Sequence, residues 1–93
     1  MMSRSWELLN LFLRTMYHVY ILYSDALGKY YTGSCSDINK RLAEHNKGQS
    51  RYTKSGIPWG IVKDFEAANR REALKLEARI KKRGAKRFLL DLD

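Results

Sequence analysis

The seven residues 17–23 (YHVYILY) constrain the fold of this chain more than any other stretch. Aromatic and β-branched residues favour a strand, and six of these seven residues are apolar or aromatic. Successive side chains of a strand point to opposite faces of the sheet. Because this run is apolar on both faces, it predicts a central strand that is covered on both sides.

Turn residues after this strand predict a hairpin. Asp25 and Gly28 lie in the short connection, and the second tyrosine cluster at residues 30–34 supplies the returning antiparallel strand. Gly33 lies inside that second strand, where a glycine often indicates that another group approaches the backbone closely.

Helix and strand signals continue through the rest of the chain. Residues 38–47 are predicted as a helix, 59–65 as a third strand, and 69–83 and 85–92 as two further helices. The intervening segment 49–56 is polar and basic, so it is predicted as an exposed loop that can contact phosphates.

Positive charge is concentrated towards the end of the chain. The chain has 18 Lys and Arg against 10 Asp and Glu, a net charge of +8. Residues 69–87 contain nine basic and two acidic residues, which gives this segment alone a net charge of +7. Such a segment suits a phosphate backbone, because neutralising phosphates releases condensed counterions. We therefore expect a nucleic-acid partner, with a solvated helix face or an anionic membrane surface as the alternatives.

Cysteine content and the first residues limit the class of protein. The single cysteine, Cys35, cannot form an internal disulfide, which fits a reducing compartment and predicts a cytoplasmic location. Residues 1–15 are predicted as an N-terminal extension to a domain at residues 16–93. Their apolar run is too short to cross a bilayer, and no membrane association is expected. They are interpreted as an amphipathic helical turn or two docked on the domain, or as an extension upstream of a true start at Met16.

Five polar residues are candidates for a functional site. Tyr20 and Tyr31 lie on the two hairpin strands, and Arg41 and His45 lie one turn apart on the following helix. Glu77 is a lone carboxylate on the apolar stripe of the next helix, a costly place unless it has a partner. Taken singly, each residue also has a structural explanation, as a core tyrosine, a helix-surface residue or an ion-pair partner.

Phosphodiester hydrolysis would give these residues a common purpose. It requires a metal to polarise a phosphoryl oxygen, a base near the attacking water, and a cation for the developing charge. A single carboxylate such as Glu77 suits Mg²⁺, which retains several waters, and Arg41 can bind a phosphate with two parallel hydrogen bonds. A tyrosine is a poor base at neutral pH, so nearby positive charge is expected to lower its pKa.

Residues 17–77 resemble the GIY-YIG nuclease domain, especially its small stand-alone bacterial members, and the resemblance extends over nearly all of 16–92. The two tyrosine signatures of that domain match residues 18–20 (HVY) and 31–33 (YTG). Its helix motif matches Arg41 and His45, and its metal-binding glutamate matches Glu77. His18 stands where the family has glycine, and the asparagine that many members have after the glutamate is missing.

This resemblance implies an α/β fold, more strictly α+β: a single small domain with a three-stranded antiparallel sheet flanked by helices, in the order β-β-α-β-α-α. It implies a metal-dependent endonuclease acting on DNA in repair or recombination, with one Mg²⁺ or Mn²⁺ ion held by Glu77. Tyr20 would be the general base, aided by His45. Tyr31 would position the water or the phosphate, and Arg41 would stabilise the transition state.

Basic side chains of the loop and the last two helices are the predicted nucleic-acid contacts, namely Arg51, Lys54, Arg79, Lys81, Lys82, Arg83 and Lys86. The alternative function is a non-catalytic DNA- or RNA-binding module on the same scaffold. A third interpretation is a partner-docking domain that uses residues 1–15. The sequence leaves open whether the protein is a monomer or a homodimer.

Overall fold

A three-stranded antiparallel sheet organises the computed structural model, which describes residues 16–93. Its strands are β1 (Tyr17–Ser24), β2 (Lys29–Cys35) and β3 (Trp59–Ala67). The strand order is β2-β1-β3, so β1 is central, as the sequence predicts. The helical interpretation of residues 1–15 lies outside the described residues.

Three helices flank the sheet: α1 (Ile38–Asn46), α2 (Arg70–Arg83) and α3 (Ala85–Asp91), with a short 3₁₀ turn at Lys54–Gly56. The element order is β-β-α-β-α-α, so the predicted fold class and order are confirmed. No helix in residues 16–93 is long and apolar enough to cross a membrane.

The central strand is buried on both of its faces. Val19 and Ile21 are fully buried in a cluster with residues of α2, while partly buried residues of α3 pack against the same cluster. Tyr20 and Leu22 are buried on the other face, against α1. The sheet therefore has one core on its α1 side and another on its α2 side, which makes the fold a three-layer sandwich.

Side-chain caps begin the two longer helices, α1 and α2. The carboxylate of Asp37 accepts the Lys40 backbone N–H at 3.1 Å, at the start of α1. The side chain of Asn69 accepts the Glu72 backbone N–H at 2.9 Å, at the start of α2. These bonds satisfy amides that have no partner within the helix, so the local sequence sets where each helix begins.

A bulge in β3 decides which way Trp59 points. Ile21 is opposite Lys63 and Leu22 is opposite Ile61, so Val62 is the extra residue in β3. Without this extra residue, strict alternation would place Trp59 on the α2 side of the sheet. With it, Trp59 is opposite Ser24 and packs into the α1-side core.

The segment 49–56 is less exposed than the sequence indicates. Arg51 and Lys54 are exposed, as predicted, but Thr53 and Gly56 are buried. A Cβ atom on Gly56 would overlap the Trp59 ring, so only a glycine allows the indole to pack against this turn. The predicted exposed loop is therefore wrong for these two residues, because Trp59 draws the turn into the core.

Candidate active site

Tyr20 lies over the backbone of the neighbouring strand. It is 1% exposed, and in the register of β1 and β2 it is paired with Gly33. A Cβ atom on Gly33 would lie 2.5 Å from the Tyr20 hydroxyl oxygen and 2.7 Å from Cζ, closer than real Cβ contacts allow. The close approach that a glycine inside a strand predicts is therefore the approach of the Tyr20 ring.

His45 joins Tyr20 to the segment after α1. The ring is 2% exposed; its Nε2 lies 3.1 Å from the Tyr20 hydroxyl and its Nδ1 lies 2.7 Å from Thr53 Oγ1. Burial lowers the pKa of His45, and the positive charge of Arg41 lowers it further. The imidazole is therefore neutral at neutral pH and able to accept a proton.

Tyr31 and Arg41 complete this group on the α1 side of the sheet. The centroid of the Tyr31 ring lies 5.1 Å from that of His45 and 6.4 Å from that of Tyr20. The Arg41 side chain is 43% exposed, and its Nε lies 4.0 Å from Glu44 Oε2, too far for a strong ion pair. Its guanidinium is therefore available to an anionic ligand.

A small pocket opens among these side chains. It has a volume of about 110 Å³ and is lined by Tyr31, Arg41, Glu44, His45, Gln49 and Ser50. Because a water molecule occupies about 30 Å³, the pocket has room for a few waters but not for a nucleotide. A polymeric substrate would therefore lie across its mouth.

Burial governs the protonation of Tyr20. Burial raises the pKa of Tyr20, and the neighbouring Tyr31 raises it further, while the charge of Arg41 lowers it. Arg41 lowers the pKa, as the sequence predicts, but burial outweighs it. The pKa of Tyr20 is raised overall, so the expected lowering is wrong for the protein by itself. In the protein by itself the Tyr20 phenol therefore remains protonated at neutral pH.

Glu77 lies on the other side of the sheet. The Ser34 hydroxyl donates to Glu77 Oε1 at 2.6 Å, and Lys81 Nζ lies 2.7 Å from Oε2. Ser34 is paired with Val19, whose side chain faces α2. Partial burial raises the pKa of Glu77, but the bonds from Lys81 and Ser34 outweigh it, so the pKa is lowered overall and the group is ionised.

The five predicted site residues thus form two groups. We call Tyr20, Tyr31, Arg41 and His45 the tyrosine–histidine half, and Glu77 with Ser34 and Lys81 the glutamate half. Within residues 16–93, no hydrogen bond or ion pair joins the two halves. They meet at the edge strand β2, where consecutive residues Gly33 and Ser34 face opposite sides of the sheet.

A family model for the GIY-YIG catalytic domain matches residues 16–88. The chain belongs to the GIY-YIG family. GIY-YIG domains form a nuclease family whose members act on nucleic acid and generally use a divalent metal ion. The resemblance inferred from the two tyrosine signatures is thereby confirmed.

Relatives of similar size agree with this assignment. A UPF0213 protein of Halobacterium salinarum is 37% identical over 67 residues, which cover 71% of this chain and 86% of that protein. A UPF0213 protein of Yersinia pestis is 38% identical over 68 residues, covering 72% and 70% of the two chains. The solution NMR structure of a UPF0213 protein from Bacillus halodurans aligns with a TM-score of 0.52 and 30% identity, covering 84% and 85%.

The glutamate half of this GIY-YIG domain suits a hard divalent cation. Within residues 16–93, no three His, Cys, Asp or Glu side chains are placed to share a metal ion, so Glu77 would be the one carboxylate ligand. Mg²⁺ is commonly held by one or two carboxylates together with waters and substrate phosphates. An ionised Glu77 beside the Ser34 hydroxyl fits this donor set, provided that Lys81 moves away from Oε2.

The predicted nucleic-acid contacts are all exposed, namely Arg51, Lys54, Arg79, Lys81, Lys82, Arg83 and Lys86. They do not form a single stripe. Lys81 belongs to the glutamate half, whereas Arg79, Lys82 and Arg83 line a separate pocket of about 470 Å³ next to α3. Arg83 is also engaged, since its Nε donates to Asp91 Oδ2 at 2.8 Å.

Sequence reasoning missed two residues that contact the candidate site. Ser34 binds the Glu77 carboxylate, and Thr53 binds the His45 ring. Alternation along β2 could have placed Ser34 on the face opposite Gly33. Nothing in the local sequence distinguishes Thr53, because its burial depends on the packing of Trp59 from β3.

Proposed function

We propose that the protein is a metal-dependent endonuclease that hydrolyses phosphodiester bonds of DNA. The observation that carries this proposal is the 3.1 Å contact between Tyr20 Oη and His45 Nε2, placed behind a pocket that Arg41 lines. A proton-transfer pair beside an available guanidinium is the combination that attack of water on a phosphodiester requires.

Arg41 binds the scissile phosphate in this proposal. Its side chain lines the pocket with Tyr31 and is only weakly opposed by Glu44 at 4.0 Å. A guanidinium offers two parallel N–H donors to a phosphate, and its charge stabilises the charge that develops in the transition state. Tyr31, which lines the same pocket, orients the attacking water or a phosphate oxygen.

Tyr20 and His45 move the proton in this proposal. Tyr20 is a neutral phenol, so it accepts a proton from the attacking water only as its own proton passes to His45 Nε2. The hydroxide formed in this way attacks phosphorus, and the bond from phosphorus to the leaving oxygen breaks. The leaving oxygen departs as an alkoxide that takes a proton from solvent, and His45 later returns its extra proton to solvent. Because His45 is neutral at neutral pH, it is ready to receive the proton.

Glu77 holds the divalent ion in this proposal. A bound ion would polarise a phosphoryl oxygen and offset the charge of the transition state. Lys81 is 56% exposed, so it can leave Glu77 Oε2 at little cost and contact a phosphate instead. The DNA backbone would have to reach both halves around the β2 edge.

Cleavage assays with paired variants test this proposal. Single- and double-stranded DNA, and RNA of the same sequence, are incubated with the wild type and Mg²⁺ or Mn²⁺. We expect metal-dependent cleavage of DNA, lowered about 100-fold or more by Glu77→Ala and by Arg41→Ala. The matched controls Glu72→Ala on α2 and Lys40→Ala on α1 remove the same charges from exposed positions and should keep the activity. Activity that survives both site substitutions would exclude the mechanism.

A non-catalytic nucleic-acid-binding module is the second candidate. The Glu77–Lys81 ion pair favours it, because this contact satisfies the carboxylate within the protein. This candidate predicts salt-sensitive binding that Glu77→Ala leaves intact or strengthens, with no cleavage by the wild type under either metal. Metal-dependent turnover that is lost in Glu77→Ala would rule it out.

A further inference from the structure

Thr53 contacts the site but has no part in the mechanism above. It is 0% exposed, and its Oγ1 lies 2.7 Å from His45 Nδ1. On the other side of the ring, Nε2 lies 3.1 Å from the Tyr20 hydroxyl. The imidazole is therefore held between two hydroxyl groups. Which ring nitrogen carries the proton decides which hydroxyl donates and which accepts.

The surroundings of the two hydroxyls favour one tautomer. Thr53 Oγ1 lies 3.5 Å from the Ser50 carbonyl oxygen, which can only accept, so the Thr53 hydrogen is directed away from His45. At the other end, the Tyr20 hydroxyl lies 3.1 Å from Nε2. The positive charge of Arg41 acts on Tyr20, and a nearby cation favours the hydroxyl's lone pairs on its side and the hydrogen towards Nε2. The Thr53 and Tyr20 hydroxyls therefore both favour a proton on His45 Nδ1 and a free lone pair on Nε2.

Thr53 is anchored by contacts that do not involve His45. Its carbonyl oxygen accepts the Trp59 Nε1–H at 2.6 Å and the Gly56 N–H at 3.0 Å. The side chain of Asn46 in turn holds the Trp59 backbone, accepting its N–H at 2.7 Å and donating to its carbonyl at 3.1 Å. Thr53 is thus fixed to both α1 and β3, and it can orient the imidazole instead of following it.

We propose that Thr53 is a positioning residue that holds His45 in the Nδ1–H tautomer and leaves Nε2 free to accept the Tyr20 proton. The effect of Thr53 on cleavage rests on the proposed function, since the tautomer matters there only if Tyr20 and His45 transfer a proton. In the other tautomer, Nε2–H would face Tyr20, and the imidazole would have no lone pair to receive that proton.

Long-range ¹H–¹⁵N NMR of the labelled protein tests the tautomer directly. The chain has two histidines, and a His18→Gln variant assigns their signals. We expect wild-type His45 to be protonated at Nδ1 and unprotonated at Nε2. Thr53→Val keeps the shape and removes the hydroxyl, so it should lose this single tautomer and lower cleavage about 10- to 100-fold. Thr53→Ser should restore both, and Ser55→Ala, in the same turn, should change neither.

Two results would overturn the proposal: wild-type His45 protonated at Nε2, or a Thr53→Val variant that keeps the wild-type tautomer. If Thr53→Val does not fold, the wild-type and Thr53→Ser spectra still decide the question. The spectra require no cleavage. A protein that shows the expected tautomer but cuts no DNA would contradict the proposed function and leave the role of Thr53 in orienting His45 supported.

Discussion

The two halves of the candidate site differ in what holds their side chains. In the tyrosine–histidine half, Tyr20 and His45 are almost fully buried and are held by hydrogen bonds between uncharged groups. In the glutamate half, Glu77 accepts a partly buried hydrogen bond from the Ser34 hydroxyl and forms an ion pair with Lys81, whose side chain is 56% exposed. Tyr20 and His45 are therefore built into the core, whereas Lys81, the ion-pair partner of Glu77, is at the surface.

This difference indicates which half is ready before a ligand binds. Buried hydrogen bonds are expensive to leave unmade, so Tyr20 and His45 keep one arrangement. Because Lys81 is more than half exposed, its ion pair with Glu77 should contribute at most about 1 kcal/mol, so Lys81 can exchange for another cation. The structure therefore combines a rigid Tyr20–His45 pair in the tyrosine–histidine half with a Glu77 carboxylate whose cation, Lys81, can be replaced.

The largest effect should follow from adding a methyl group where Tyr20 of the tyrosine–histidine half packs on Gly33. In a Gly33→Ala variant the new methyl would meet the Tyr20 hydroxyl oxygen at 2.5 Å and the ring carbon Cζ at 2.7 Å, so we expect a loss of about 1–3 kcal/mol in the free energy of unfolding. Urea denaturation measures this loss. The matched control is Gly60→Ala on β3, where a Cβ meets nothing within 4 Å. Equal stability of the two variants would show that Tyr20 is not packed on Gly33.

A smaller effect should appear in the pH dependence of stability. Burial lowers the pKa of His45 in the folded state, whereas the unfolded chain titrates at about 6.5. Below that pH the unfolded chain binds a proton that the folded protein does not, so the free energy of unfolding should fall. One group can contribute at most about 1.4 kcal/mol per pH unit.

Urea denaturation between about pH 7 and pH 5 measures this slope. His45→Gln should flatten it, whereas His18→Gln retains His45 and should keep it. Glu77 contributes separately at lower pH. Its lowered pKa gives stability that is present above the unfolded pKa and is lost as the pH falls through the folded value. A His45→Gln variant with the wild-type slope would show that His45 is not the group responsible.

The smallest effect concerns metal binding by the glutamate half. Lys81→Met removes the cation at Glu77 Oε2, so we expect Mn²⁺ to bind about two- to fivefold more tightly, a change of less than about 1 kcal/mol. Titration calorimetry without DNA measures this. Lys82→Met makes the same change of charge one residue further along α2 and should have a weaker effect. Equal changes in the two variants would show that the contact with Lys81 does not compete with the metal.

Much of the tyrosine–histidine half could be predicted from the sequence, because the sequence patterns that indicate it are local. The apolar run of β1 predicted a buried central strand, and Gly33 predicted a close approach to the backbone. The spacing of Arg41 and His45 placed them one turn apart on one helix. Strand alternation and helical periodicity are properties of short segments, so they can be read without a tertiary structure.

The contacts that complete each half could not be predicted in this way. Thr53 lies in a segment whose polar composition indicates an exposed loop, and it is buried only because the β3 bulge turns Trp59 into the α1-side core. The relation of Glu77 to the other four residues also depends on which side of the sheet α2 covers. Both depend on how distant segments pack.

Local sequence patterns were enough to predict the element order, the central strand and the residues that match the GIY-YIG signatures. The packing of the whole domain places four of the candidate site residues on one side of the sheet, Glu77 with Lys81 on the other side, and Thr53 in contact with His45. The local and the tertiary features differ because they depend on interactions between residues at different separations along the chain. Backbone propensity and side-chain alternation act over a few residues, whereas the meeting of residues 43 positions apart, such as Ser34 and Glu77, is set by the packing of the whole domain.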